Sequence, residues 1–305
     1  MLHARAGRVG SGARPTRLVA RSHGRAQLYI TAKVDSYLGD GRVSLRLEEV
    51  RRQIEAILAR LQTDYIDLLL LQNPDNETPI ELALQECAEL HEKGQLRQLG
   101  LSNYAAWQVP DAYHTCDRQS WLLPSVYQGT YNVVMRHVEA ELIPCLRHLG
   151  MALYACSPLA AGWLTREHPA LPAPVVPASV AGDPITTRAV RRLRDAAGGD
   201  IEGVISITLK WSRQHSMLDG THGDAVVLGA ATLEQLADEP GVDRRRRRIS
   251  APEGAIFALD ATQACSTRTG ARGCDPRRCG AFSRVERGAG GGRLHRGQSR
   301  GRGGR

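Results

Sequence analysis

Residues 64–75 read Asp-Tyr-Ile-Asp-Leu-Leu-Leu-Leu-Gln-Asn-Pro-Asp. The apolar run at 65–71 is nearly continuous, as expected for a parallel β-strand that is covered on both faces. The polar residues and the proline that follow are typical of a turn. A buried parallel strand of this kind predicts an α/β fold, in which strands alternate with helices.

The same alternation is predicted along most of the chain. Apolar, β-branched runs indicate strands, and an apolar period of about 3.6 residues indicates helices. The predicted strands are 27–34, 65–71, 96–101, 123–128, 151–155 and 225–228. The predicted helices are 44–62, 79–93, 105–118, 134–149, 188–196, 201–215 and 232–237. This order favours a parallel sheet with crossover helices, and the polar residues after each strand favour a (β/α)8 barrel of the TIM type.

Only six strands are predicted, whereas a barrel of this type has eight. Residues 1–26 show neither a strand run nor a helical period, and nothing periodic follows Pro240. We therefore expect a disordered basic segment at 1–26, a partial barrel at 27–239 and a disordered Arg/Gly-rich tail at 240–305. Residues 167–187, rich in Pro, Ala and Val, are expected to form a loop or to be a corrupted insert.

The net charge of +8 comes from the two ends of the chain. Residues 1–26 hold six Arg and no acidic residue, and residues 240–305 hold sixteen Arg and five acidic residues. The segment between them carries a net charge of −9, which argues against a nucleic-acid partner for the predicted barrel. RNA binding through the Arg-rich tail remains an alternative, although the tail has few aromatic residues to stack on bases.

Targeting and metal signals are weak. No apolar run approaches the ~18–20 residues of a membrane span, and residues 1–26 lack the apolar core of a secretory signal. An Arg-rich, acid-free start resembles a mitochondrial transit peptide, but untargeted sequence explains it equally well, and we expect a cytoplasmic protein without membrane association. The scattered cysteines Cys87, Cys116, Cys145 and Cys156 are predicted to be reduced. Cys274 and Cys279 lack the second ligand pair of a zinc site, so no metal site is predicted.

Polar residues or glycines follow the predicted strands, at the end where TIM-type barrels carry their active sites. Lys33 is the most informative of them, because a lone ammonium group inside an apolar strand is usually paired or functional. Gly229 to Gln235 passes from a strand to a helix start, where free N–H groups can bind an anion. Each position taken singly is also explained by an ordinary turn or helix cap.

Taken together, these positions resemble the aldo-keto reductases, most closely the aflatoxin-aldehyde reductase subfamily. The resemblance lies within residues 27–239 and follows the family's order. The matching stretches are 30–33, 64–75, 100–104, 124–129, 154–162 and 222–236.

The resemblance implies NADPH-dependent reduction of a small aldehyde or ketone. By this resemblance, Lys33 and Gln72 are the candidate catalytic residues, with Gln72 in the place of the family's His. The implied cofactor-binding residues are Ser102, Asn103 and Gln128 for the nicotinamide, Ser157, Leu159 and Gly162 for the pyrophosphate, and Gly229, Thr232 and Gln235 for the 2′-phosphate. The oligomeric state stays open.

The departures from the family are as specific as the matches. In the family, a Tyr donates the proton and an Asp pairs with the Lys, and both lie upstream of the Lys strand. Residues 1–26 contain neither Asp nor Tyr. Glu239 stands where the family usually has an Asn, and its carboxylate would repel a 2′-phosphate. The sequence therefore predicts impaired turnover, with a non-catalytic NADP-binding module as the alternative. One hypothesis for both unusual ends is that they are translated out of frame.

Overall fold

The computed structural model describes residues 2–5, 25–37, 44–165, 183–230 and 255–259. They form one parallel sheet of eight strands whose spatial order follows the sequence. The strands are β1 Leu2–Arg5, β2 Ile30–Val34, β3 Ile66–Leu71, β4 Leu96–Ser102, β5 Pro124–Thr130, β6 Ala152–Cys156, β7 Ala225–Ala230 and β8 Ala255–Leu259. Cα atoms of β1 and β8 approach within 8 Å, so the sheet curls towards closure as a barrel does.

All six predicted strands are present, and the barrel type is confirmed. The expected strand count was two too low, because β1 and β8 lie in segments for which no strand was predicted. β1 pairs Leu2 with Ile30, and β8 pairs Ala255 with Val226. β1 is four residues of mixed polarity and gives no strand signal, whereas β8 is the apolar run Ala-Ile-Phe-Ala-Leu, a short strand signal that the sequence analysis did not use. The remainder of 1–24 and 240–305 lies outside the described residues.

Six α-helices occur in the described part of the chain. They are α1 Leu47–Leu61, α2 Ile80–Glu92, α3 Gln108–Arg118, α4 Leu142–His148, α5 Pro184–Ala196 and α6 Ile201–Gln214. Each predicted helix within the described residues is therefore found, although two begin more than three residues away from the predicted start. The predicted helix at 232–237 lies outside those residues.

The helix predicted at 134–149 is much shorter in the structure. Asn132 accepts hydrogen bonds from the backbone N–H groups of Val134 and Met135, which holds this segment in a turn. Pro144 cannot continue a helix that began a full turn earlier, because it lacks an N–H group and its ring clashes with the preceding turn. The segment accordingly contains a 3-10 turn, His137–Glu139, before α4 begins at Leu142.

Helix α5 begins earlier than predicted. Asp183 accepts a hydrogen bond from the backbone N–H of Thr186 and is followed directly by Pro184. An Asp at the N-cap and a Pro at the first helical position together favour a helix start. Residues 184–187, expected to be loop, are therefore helical, and 166–182 lie outside the described residues.

The strands have two distinct faces, because successive side chains point to opposite sides of the sheet. The outward face packs against the helices and includes Ile30, Ala32 and Val34 of β2. The inward face forms a separate cluster that includes Leu68, Leu70, Val126, Ala152 and the flanking Tyr29 and Tyr154. A residue that alternates with helix-facing neighbours therefore faces the barrel interior.

Gly100 is required by the tightness of this interior. A Cβ atom at this position would lie 2.6 Å from both the Leu70 side chain and the Val126 carbonyl oxygen. The carbonyl belongs to the backbone of the adjacent strand and cannot move aside. The glycine thus allows β3, β4 and β5 to pack closely beneath the strand ends.

Two buried carboxylates join neighbouring strands at the amino-terminal end of the sheet. Asp67 accepts hydrogen bonds from the Ile30 N–H at 2.8 Å, from Arg25 at 2.7 Å and from Arg97 at 3.1 Å. The same two guanidinium groups also pack on the Tyr65 ring, with their central carbons 3.7 and 4.0 Å from the ring centroid. These contacts fix the start of β2 against β3.

Asp224 has the equivalent function before β7. It accepts hydrogen bonds from the backbone N–H groups of Leu153 and Asp219 at 2.7 and 2.9 Å, and it pairs with Arg147. The side chain of Asp224 is fully buried, so each of these donors offsets part of its desolvation. The contacts tie β6 to β7.

The cysteine prediction is confirmed within the described residues. Cys87, Cys116, Cys145 and Cys156 are all free. Cys274 and Cys279 lie outside the part of the chain that the structure describes. In that part, no cluster of His, Cys, Asp and Glu suits a metal ion, and none of the helices meets the length and hydropathy of a membrane span.

Candidate active site

Four of the predicted site residues lie within the last three positions of consecutive strands, or directly after a strand, and face the barrel interior. Lys33 alternates with the helix-facing Ala32 and Val34, and Gln72 follows the helix-facing Leu71. Ser102 and Gln128 lie on the corresponding face of β4 and β5, where they are register partners. The structure therefore brings these four positions to one end of the barrel.

Polar side chains at this end are unusually well buried. Ser102 is 3% exposed, Gln128 is 1% exposed and Gln72 is 8% exposed. Lys33 is half-buried and lies beside Leu70 in the neighbouring strand. Buried amide, hydroxyl and ammonium groups must be compensated by polar partners, so a group of them facing one space is typical of a binding site.

Asn103 is held at the rim of this site in a conformation that few residues adopt. Its φ angle is +62°, in the left-handed region that asparagine tolerates better than most residues. Its side-chain Nδ2 donates to the Gln72 carbonyl oxygen at 2.9 Å and to Asn73 Oδ1 at 3.1 Å. The end of β4 is thereby fastened to the end of β3.

The segment after β6 is strained in the way that ligand-binding loops often are. Ser157, Ala160 and Ala161 all have φ angles between +51° and +54°, and Gly162 has a φ of +81°. Asn132 supports this turn by donating a hydrogen bond to the Ser157 carbonyl oxygen at 3.0 Å. Leu159 precedes the short 3-10 turn Ala160–Gly162.

The third predicted cofactor segment is described only at its start. Gly229 lies in β7 and is exposed at the same end of the sheet as Ser102 and Gln128. Thr232 and Gln235, like Glu239, lie outside the described residues.

Several residues of the site were missed by the sequence analysis. Cys156 ends β6 on the inward face, half-buried, with its Sγ 3.9 Å from Thr130 Oγ1. Asp35 was also missed; it extends the hydrogen bonding of Asn103 along the rim through Asn73, which lies in the matching stretch 64–75 but had been given no role. Strand alternation was the available signal for Cys156, since it lies two residues after the inward-facing Tyr154. No pattern in a single sequence predicts the side-chain hydrogen bonds between the ends of different strands.

The interior beneath the site is also polar. The Tyr29 hydroxyl donates a hydrogen bond to Gln98 and is paired with Tyr154. Burial, followed by the nearby Tyr154 and Asp67, raises the pKa of Tyr29 above its ordinary value. Both phenols thus remain protonated at neutral pH and act as structural hydrogen-bonding groups.

Comparison with known proteins identifies the family to which this chain belongs. The model of the Aldo/keto reductase family matches residues 14–242. The chain belongs to this family. The match includes all six predicted strands and all the predicted site residues, so the resemblance seen in the sequence is confirmed as an aldo-keto reductase relationship.

Three relatives illustrate the extent of the similarity. The chain is 40% identical over 211 residues to human "Aldo-keto reductase family 7 member A3", covering 63% of this chain and 64% of the relative. It is 39% identical over 238 residues to human "Aflatoxin B1 aldehyde reductase member 4", covering 68% and 67%. It is 32% identical over 253 residues to "Aldo-keto reductase pigE" of Monascus ruber, covering 75% and 74%. The chain thus spans a little under two thirds of the length of the first of these aldo-keto reductases.

Proposed function

We propose that this chain binds NADP(H) across the carboxyl ends of its strands and reduces small aldehydes or ketones slowly. The observation that carries the proposal is the placement of Lys33, Gln72, Ser102 and Gln128 on the inward face of four consecutive strands. Two of the similar human proteins are named as aldehyde reductases, which supports an aldehyde as the substrate.

The residues present fit a nicotinamide cofactor. A carboxamide needs both hydrogen-bond donors and acceptors, and Ser102, Asn103 and Gln128 offer both kinds of group at adjacent strand ends. The strained turn from Ser157 to Gly162 opens beside them and is where the pyrophosphate would lie. The 2′-phosphate is assigned to Gly229, Thr232 and Gln235 by family resemblance.

The residues of this chain orient the substrate carbonyl group and stabilise the charge that develops on its oxygen. NADPH supplies the hydride when it is bound. Gln72 donates a neutral hydrogen bond that orients the carbonyl group, and the Lys33 ammonium stabilises the negative charge that develops on the carbonyl oxygen. Water is then the proton source, because residues 1–26 provide no Tyr. The absence of a positioned general acid is expected to slow turnover by roughly 10²–10⁴-fold.

The first experiment measures NADPH binding by fluorescence and then aldehyde-dependent oxidation of NADPH. We expect saturable binding, slow oxidation, and a rate in Lys33→Met lower by roughly 10²-fold because the charge is lost while the length of the side chain is kept. Lys93→Met is the matched control, since Lys93 directly follows α2, its side chain is 55% exposed, and its ammonium pairs with Glu89 of the same helix.

Binding without any oxidation would favour a second function, a non-catalytic NADP-binding module. The specific observation in its favour is the lack of Asp and Tyr in residues 1–26, together with Gln72 in place of the family's His. A folded chain that bound no NADPH would contradict both functions.

A further inference from the structure

A chain of side-chain hydrogen bonds runs along the rim of the candidate site and joins the ends of three strands. Asp35 follows β2, Asn73 follows β3, and Asn103 follows β4. Asn73 Nδ2 donates to Asp35 Oδ1 at 2.9 Å, and Asn103 Nδ2 donates to Asn73 Oδ1 at 3.1 Å. Nothing in the family resemblance assigned Asp35 or Asn73 to the site.

The direction of these hydrogen bonds is set by groups that can only accept. Asn103 Nδ2 also donates to the Gln72 carbonyl oxygen at 2.9 Å, so the amino group of Asn103 must point towards β3. At the other end, the Asp35 carboxylate accepts and therefore draws the amino group of Asn73 towards β2. Asn73 is left with its oxygen towards Asn103, so the orientations of both side-chain amides, Asn73 and Asn103, are determined.

Asp35 is itself held firmly by helix α1. Its backbone N–H donates to Gln53 Oε1 at 3.0 Å, and Gln53 Nε2 donates back to the Asp35 carbonyl oxygen at 2.9 Å. Gln53 is buried, so these two hydrogen bonds are shielded from competition by water. Helix α1 thus fixes the position of Asp35. Asp35 in turn orients Asn73, and Asn73 orients Asn103.

We propose that Asp35 and Asn73 are positioning residues that orient Asn103 towards the nicotinamide carboxamide, an inference that rests on the proposed function. Both hydrogens of Asn103 Nδ2 are used along the rim. Asn103 Oδ1 accepts no hydrogen bond from the described residues and is the atom left to accept one from the carboxamide amino group. A rotated Asn103 would present a donor there and would lose this match.

The test compares NADPH with 2′-phospho-ADP-ribose, which lacks only the nicotinamide and its linkage. In Asn73→Asp, the donor between positions 73 and 35 is lost, and repulsion between the two carboxylates displaces the side chain at 73 from the place where it supports Asn103. We expect the dissociation constant for NADPH to rise by about tenfold, as for the loss of one well-placed hydrogen bond. Binding of 2′-phospho-ADP-ribose should stay within about twofold of wild type, because its contacts lie elsewhere.

Two further variants make the result specific. Asn76→Asp makes the same chemical change at an exposed position of the same loop, and it should leave the affinity for both ligands unchanged. The double variant Asp35→Asn with Asn73→Asp exchanges the donor and the acceptor, and it should recover most of the NADPH affinity.

The positioning role would be overturned if Asn73→Asp bound both ligands equally more weakly, or bound both as tightly as wild type. It would also be overturned if the double variant did not recover NADPH affinity. A wild-type chain that bound NADPH no better than 2′-phospho-ADP-ribose would also overturn it, because the nicotinamide would then contribute no affinity. A wild-type chain that bound neither ligand would instead contradict the proposed function itself, and the positioning role with it.

Discussion

Replacing Asp67 with Ala is expected to lower the free energy of unfolding by about 3–5 kcal/mol, the usual cost of removing one partner from a buried ion pair. The Asp67 side chain is 3% exposed, and it accepts hydrogen bonds from Arg25, Arg97 and the first N–H of β2. Its loss leaves the Ile30 N–H without a partner and removes the counterion of Arg25, whose side chain is 20% exposed.

Urea-induced unfolding of the two proteins measures this effect. Asp64→Ala is the matched control, because Asp64 is exposed three residues earlier in the chain and should change stability by no more than about 0.5 kcal/mol. An Asp67→Ala protein within about 1 kcal/mol of wild type would show that these contacts do not hold β2 in place.

The chain is also expected to lose stability steeply in alkaline solution. Burial raises the pKa of Tyr104 and Tyr127, and burial followed by the hydrogen bond to Glu139 raises the pKa of Tyr131 to about 12. In the unfolded chain these phenols lose their protons at about pH 10, so above that pH the folded state binds more protons than the unfolded state does. Each phenol then contributes a loss of up to about 1.4 kcal/mol per pH unit, until the pH reaches its folded-state pKa.

Denaturant unfolding between about pH 8 and about pH 11 measures this slope. Tyr104→Phe is an informative variant, because the Tyr104 hydroxyl is buried without a hydrogen-bond partner among the described residues. The change should be neutral or stabilising by up to about 1 kcal/mol near neutral pH and should make the alkaline slope shallower. An unfolding free energy that is constant up to about pH 11 would contradict the buried, protonated state of these phenols.

The sequence alone predicted those elements whose formation depends on residues close together in the chain. The Leu68–Leu71 run and its counterparts predicted six strands, and Lys33 and Gln128 lie in two of these strands as predicted. Helix starts were less predictable, because Pro144 and Asp183 outweighed the apolar period around them.

The remaining features depend on residues far apart in the chain. Asp67 meets Arg25 across 42 positions, and Asn73 meets Asp35 across 38 positions. The strand β1 has only a short, mixed sequence, and its pairing depends on the backbone of β2. Such contacts follow from the assembled barrel, since side chains on neighbouring strands become close only after the strands have paired.

The most direct test of the cofactor groove is alkylation of Cys156 with and without NADPH, measured by mass spectrometry of the individual peptides. Cys156 is half-buried at the inward end of β6, directly before the strained Ser157. Cys145 is the internal control, because it lies on α4 with its thiol donating to the Ala106 carbonyl oxygen. Saturating NADPH is predicted to slow alkylation of Cys156 and to leave that of Cys145 unchanged. An unchanged rate at Cys156 while NADPH is bound would place the cofactor elsewhere and contradict the site described for this chain.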